Sequence, residues 1–208
     1  MVKIIAVLGQ DCDRSADWVA DWEAEMSLYF KHIQFFYPPK DEASGNQYWH
    51  PYTPVNEKYN ATQRAYGYDM WIGETAVEVW EELERLEAAN ESFAIVAFSN
   101  GGAIAFEASM YSSCIGTLFV ASVPVLSQQR RFDEAKCPVG FYHGTWDDKY
   151  FGGHDAVRQV CSSMHATWFE YDGGHCNAPP VGIHKALWSI VDVSGEPPCK
   201  RCCGPSHA

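Results

Sequence analysis

Positive charge is scarce in this sequence. Fifteen Lys and Arg stand against 27 Asp and Glu, a formal net charge of −12. Nucleic acids and anionic membrane surfaces are bound by clustered Lys and Arg, so neither is expected as a main partner. Long apolar runs are also missing. None reaches the roughly 18 residues of a membrane-spanning helix, so no membrane span is expected. The opening MVKIIAVLGQ carries a short apolar run and no small-residue cleavage site. It reads as a first strand and not as a secretory signal, which makes a cytoplasmic location the expectation. No Lys-Ser or Lys-Thr follows Gly101 and Gly102, which excludes a phosphate-cradling P-loop at that point.

Cysteine, by contrast, is well represented: Cys12, Cys114, Cys137, Cys161 and Cys176 in the body, and Cys199, Cys202 and Cys203 near the end. Scattered cysteines without a secretory signal read as free thiols. The ending PPCKRCCGPSHA has a single C-x-x-C-C and lacks the second ligand pair of a zinc site, so no metal is assigned. Nor is there a C-a-a-X prenylation box. For this tail, redox-active or lipidated thiols and no role at all remain open readings.

The 208 residues, 47% hydrophobic and 20% charged, suit one soluble domain with a sizeable core. Residues 1–194 are assigned to it and 195–208 to the Cys-rich tail. Apolar runs at 3–8, 32–37, 93–98, 116–122, 138–143 and 166–171 read as strands. Segments with helical spacing fall between and after them, at 14–30, 74–89, 101–112, 153–163 and 179–193. Strands alternating with helices imply a mostly parallel sheet covered on both faces. Residues 38–72 break the rhythm with a long polar stretch rich in Tyr and Trp. It is either a lid over an apolar pocket, with Trp49, Tyr68 and Trp71 lining it, or a packed excursion over the sheet.

Parallel sheets place their ligand sites at the carboxyl ends of the strands. The polar residues that follow the strands there include Ser99, Asp147 and His175, in that order. A serine hydroxyl is a weak nucleophile until a base takes its proton. Histidine can do this near neutral pH and later return the proton to a leaving group. A carboxylate fixes the tautomer of the imidazole and stabilises its charged form. Ala97, Gly101 and Gly102 supply the small neighbours that a sharp strand-to-helix turn at Ser99 needs. Asp148 and Asp172 are rival acids, and Ser99 as a plain turn or N-cap residue is the bland alternative. Trp146, Tyr150 and Phe151 flank the acid and either line the cleft or pack in the core.

Three motifs, AFSNGG at 97–102, FYHGTWDDKY at 141–150 and YDGGH at 171–175, resemble those of compact α/β-hydrolases of the serine carboxylesterase and acyl-thioesterase kind. The likeness covers about residues 2–193 and implies a three-layer α/β fold with a mostly parallel central sheet. It implies hydrolysis of a carboxylic ester or thioester through an acyl-enzyme, with no metal or cofactor. Ser99 would be nucleophile, His175 base and then acid, and Asp147 the orienting carboxylate. The backbone N–H groups of Gln10 and Asn100 would bind the oxyanion. Ala97 replaces the more usual glycine, and Leu8-Gly9 replaces the usual His-Gly after the first strand, which weakens the inference at Gln10. Acyl transfer, a lyase reaction or a non-catalytic binding role on the same fold are the alternatives. The small-molecule substrate and the oligomeric state are not legible in the sequence.

Overall fold

The computed structural model describes residues 2–9, 17–40, 49, 76–122, 131–147, 153–176 and 178–191. Six strands form one sheet: β1 (Lys3–Val7), β2 (Ile33–Phe36), β3 (Phe93–Phe98), β4 (Cys114–Val120), β5 (Val139–Gly144) and β6 (Thr167–Tyr171). Their order across the sheet is β2-β1-β3-β4-β5-β6, and every pairing is parallel. Five helices accompany them among the described residues: α1 (Asp17–Tyr29), α2 (Val77–Ala89), α3 (Gly102–Ala108), α4 (Gly153–Ser163) and α5 (Pro180–Ile190). No helix among the described residues is long and apolar enough to cross a membrane.

Side chains alternate across a strand, so a strand buried on both faces must be apolar at every position. The FAIVAF of β3 meets that demand, and all but its last residue are buried. Ile5, Val7, Ile95, Ala97, Phe119 and Phe141 point to one layer, where they meet α2, α3 and α4. Ile4, Ala94, Val96, Leu118, Val120 and Tyr142 point to the other, where they meet Met26 of α1 and Ile183, Leu187 and Ile190 of α5. The three-layer arrangement follows directly from this alternation. Helix α2 buries Val79, Leu83 and Leu86, the stripe its spacing predicts, and ends at Asn90, whose φ of 53° stops the helix in the left-handed region.

One expected helix is shorter than its apolar pattern. Residues 101–112 read as a single helix, yet Ser99–Gly101 is a 3-10 turn and α3 stops at Ala108. Two interactions, one local and one from a distant helix, compete with helix continuation. The Ser109 hydroxyl donates to the Phe106 carbonyl at 2.6 Å, and the Glu87 carboxylate takes the backbone N–H groups of Ser112 and Ser113 at 3.1 and 2.8 Å. The chain is thereby turned into β4 at Cys114, two residues before its expected start. A short 3-10 turn at Phe132–Glu134 has no counterpart among the sequence expectations.

Phe141 is fully buried and stacks on Phe119 with ring centroids 4.9 Å apart. Phe141→Ala removes that packing and leaves a cavity, so urea unfolding should show a loss of about 3–5 kcal/mol. Leu28, 58% exposed on α1, provides the control: Leu28→Ala should change stability by no more than about 0.5 kcal/mol. Equal losses for the two would contradict the assigned core.

Candidate active site

Strands β1 and β3 are neighbours, but their onward connections run to opposite sides, β1 to β2 and β3 to β4. Such a reversal opens a crevice at the carboxyl edge of a parallel sheet. Gly9 follows β1 there and Ser99 follows β3. The two are so close that a Cβ on Gly9 would sit 2.6 Å from the Cβ of Ser99. On the other side of the turn, a Cβ on Gly101 would sit 2.7 Å from the Val7 carbonyl oxygen. Ser99 itself has φ 49°, a left-handed conformation unusual for a residue other than glycine. Strain of this kind costs on the order of 1–3 kcal/mol and persists only where the surroundings hold it. Part of the hold is a hydrogen bond from the Ser122 hydroxyl, just beyond β4, to the Ser99 carbonyl.

The other two residues come from loops laced to each other. After β5, the Thr145 N–H donates to the Tyr171 carbonyl and the Trp146 N–H to the Gly173 carbonyl, each at 3.0 Å. In the loop after β6, the Tyr171 hydroxyl donates to the Gly174 carbonyl at 2.9 Å. The Trp146 indole N–H donates to the Asp172 carboxylate at 2.7 Å. These contacts bring Asp147, 2% exposed, beneath His175. The Nδ1 of His175 lies 2.9 Å from Asp147 Oδ2, and its Nε2 lies 2.9 Å from Ser99 Oγ. One imidazole thus joins a buried carboxylate to a hydroxyl held out on a strained turn.

A second histidine sits behind the acid. His143 of β5 is 1% exposed, and its Nε2 is 3.7 Å from the same Asp147 oxygen. Burial lowers its pKa and outweighs the opposing pull of the Asp147 carboxylate. The ring is therefore neutral at neutral pH, packed against His154 and Trp168.

The remaining site candidates are distributed unevenly. Asn100 follows Ser99 in the 3-10 turn, and its side-chain amide is buried with no hydrogen-bond partner among the described residues. Trp49 is in the core, 3% exposed, and its indole N–H donates to the Leu8 carbonyl at 2.6 Å. In that position it buttresses the end of β1 and offers no open surface to a cleft. Trp146 is the opposite case, 74% exposed beside the acid. Gln10, Tyr68, Trp71 and the rival acid Asp148 lie outside the described residues. Asp172, the other rival, is engaged by Trp146. The sequence reading missed Ser122 and Tyr171 as supports. The signal for Ser122 was its place directly after a strand at the same edge.

No family model matches the sequence, and neither does any curated protein. The fold, in contrast, has clear counterparts among solved structures. Esterase PE8 superposes with a TM-score of 0.67 and 15% identity, over 91% of this chain and 93% of that one. A carboxylesterase from Mesorhizobium loti gives 0.56 and 13%, over 90% and 88%. The S-formylglutathione hydrolase of Staphylococcus aureus gives 0.54 and 11%, over 92% and 82%. The chain has the α/β-hydrolase fold.

Two consequences can be measured. The atom facing Gly101 is a backbone carbonyl, which cannot swing aside, so Gly101→Ala should lose about 1–3 kcal/mol in urea unfolding. An unchanged midpoint would contradict the crowding at this turn. The second concerns acid. Burial lowers the pKa of His143 and also of His184, which packs among Tyr29, Phe30 and Trp188. An unfolded chain, its imidazoles near about pH 6.5, takes up protons first as pH falls. The stability gained by keeping both rings neutral is complete above that value and is lost as pH falls through the folded-state pKa values. The melting temperature should fall as the buffer is acidified from about pH 7.5 to about pH 5, and less steeply in His184→Leu. Parallel curves for the two proteins would contradict the assignment at His184.

Proposed function

We propose that the protein is a serine hydrolase that cleaves a carboxylic ester or thioester. The observation that carries this reading is the pair of 2.9 Å contacts on one imidazole, from Ser99 Oγ to His175 Nε2 and from His175 Nδ1 to Asp147 Oδ2. With Nδ1–H donating to the carboxylate, Nε2 is left as an acceptor for the Ser99 proton. Ser99 Oγ attacks the acyl carbonyl as that proton moves to His175. His175 then passes it to the leaving alkoxide or thiolate, and an acyl-Ser99 ester remains. Water attacks this ester with His175 again as base, and the acid and free Ser99 are released.

Asp147 keeps the imidazole in the required tautomer and stabilises its charge in the transition state. Backbone N–H groups of Asn100 and Gln10 are assigned to the oxyanion of each tetrahedral intermediate. Crowding between Gly9 and Ser99 supports the assignment, because it brings the chain just after β1 against the nucleophile's turn. Trp146, exposed beside the acid and tethered by Asp172, is assigned to the apolar part of the substrate. Tyr68 and Trp71 are assigned to substrate binding as well. The substrate is a small molecule, with a short or medium acyl chain.

The test is hydrolysis of p-nitrophenyl esters from acetyl to dodecanoyl, together with labelling by a fluorophosphonate probe. Wild type should turn over with a maximum at one chain length and should take up one probe on Ser99. Ser99→Ala and His175→Gln should each lose about 10⁴-fold or more in kcat, and Asp147→Asn about 10³-fold or more. Full activity in Ser99→Ala, or a folded wild type that neither hydrolyses an ester nor reacts with the probe, would overturn the proposal.

A further inference from the structure

The cysteines are scattered in sequence, but two of them meet in space. Cys114 opens β4 and Cys137 precedes β5 by two residues, so both lie at the amino edge of the sheet, opposite Ser99. Their sulfurs are 3.5 Å apart. The Thr117 hydroxyl reaches both, at 3.7 Å from Cys114 Sγ and 3.4 Å from Cys137 Sγ. The surroundings of the two thiols differ. Cys114 is buried beneath the sheet edge, whereas Cys137 is partly open to solvent between the exposed Lys136 and Pro138.

We propose that Cys114 and Cys137 form a reversible dithiol that a hydroperoxide oxidises to a disulfide, with Cys137 attacked first and Cys114 resolving. A disulfide needs its sulfurs about 2.05 Å apart, so they must approach by about 1.5 Å. Electrostatics favour the same order of events. Hydrogen-bonding contacts with the Cys114 sulfur and the Thr117 hydroxyl hold the Cys137 pKa below that of a free thiol. Burial drives the Cys114 pKa up. A partly exposed sulfur with stabilised thiolate character is the one an oxidant finds.

The chemistry balances with peroxide as sole co-reactant. The Cys137 thiolate attacks one peroxide oxygen, the O–O bond breaks, and the departing hydroxide takes a proton to leave as water. The Cys137 sulfenic acid is then attacked by Cys114 sulfur. The S–S bond forms, the S–O bond breaks, and the second water leaves with the Cys114 proton. Two thiols are oxidised and one peroxide is reduced. Neither of the other described cysteines has a second sulfur within hydrogen-bonding distance among the described residues. Cys161 is buried, with its pKa pushed up to about 11 and its thiol turned to the Ala166 carbonyl. Cys176 is exposed, with no second sulfur within hydrogen-bonding distance among the described residues. A metal role for the pair is disfavoured, because two sulfurs and a hydroxyl fall short of four zinc ligands.

The sequence makes the test clean. Trypsin cuts after Arg85, Arg130, Lys136 and Lys149, so peptide 86–130 carries Cys114 alone and peptide 137–149 carries Cys137 alone. Folded full-length protein is treated with hydrogen peroxide, blocked with N-ethylmaleimide, digested and analysed by mass spectrometry. The expected product is these two peptides joined, lighter than their sum by two hydrogens and separated by dithiothreitol. Cys114→Ser should leave Cys137 as a sulfenic acid that dimedone traps, and Cys137→Ser should abolish both products. The wild-type map alone can overturn the proposal, so nothing depends on the variants folding. Recovery of Cys114 and Cys137 as maleimide adducts while Cys176 is oxidised, or linkage of either to another cysteine, would do so.

Discussion

The crowding between the ends of β1 and β3 governs the rest of the architecture at the carboxyl edge. Two parallel strands 4.8 Å or so apart leave their sheet in different directions at this point, and the turn after β3 passes within contact of both Gly9 and Val7. The turn leaves no room for a side chain at Gly9 or Gly101, and the backbone of Ser99 itself lies in the left-handed region. A serine in that geometry projects its hydroxyl away from the sheet. The remaining elements meet it there: Ser122 from the end of β4, Asp147 from the end of β5 and His175 from the end of β6.

Most of this fold was legible because its strands are apolar throughout and its helices carry a one-sided stripe. FAIVAF has no polar position that would let it lie at a surface, and Val79, Leu83 and Leu86 repeat at the helical period. Legibility fails where a distant side chain overrides the local pattern. Nothing in ASMYSS announces that Glu87, 25 residues upstream of Ser112, will capture its amides and end α3. The sheet order is likewise invisible to periodicity, since β2 and β3 are both neighbours of β1 on grounds of packing and not of sequence.

The candidate site follows the same division. Ser99, Asp147 and His175 could be singled out because Ser99 directly follows β3 and the other two lie in the loops after β5 and β6, and in a parallel sheet all such positions share one edge. Their supports were not visible. Tyr171 ties the two loops through its carbonyl, which takes the Thr145 N–H, and braces its own loop through its hydroxyl; Asp172 is drawn off by Trp146, and Asp147 is the carboxylate hydrogen-bonded to His175. Trp49 illustrates the limit for aromatics. Composition marks an aromatic-rich stretch equally well whether its rings face a cleft or a core, and this ring lies in the core, bonded to Leu8.

The order of pairing carries a consequence for how the molecule assembles. Ala97 of β3 pairs with Phe119, and Phe119 with Phe141, each across 22 residues of chain, whereas Ile5 pairs with Ile95 across 90. Closing the longer loop costs about 1.2 kcal/mol more in chain entropy by the logarithmic rule. The chain therefore gains most by assembling β3, β4 and β5 first and admitting β1 afterwards. Gly9 and the ceiling it places over Ser99 then arrive with the last and most remote pairing. In that order of pairing, the turn at Ser99 is confined against Gly9 only when β1 joins the sheet.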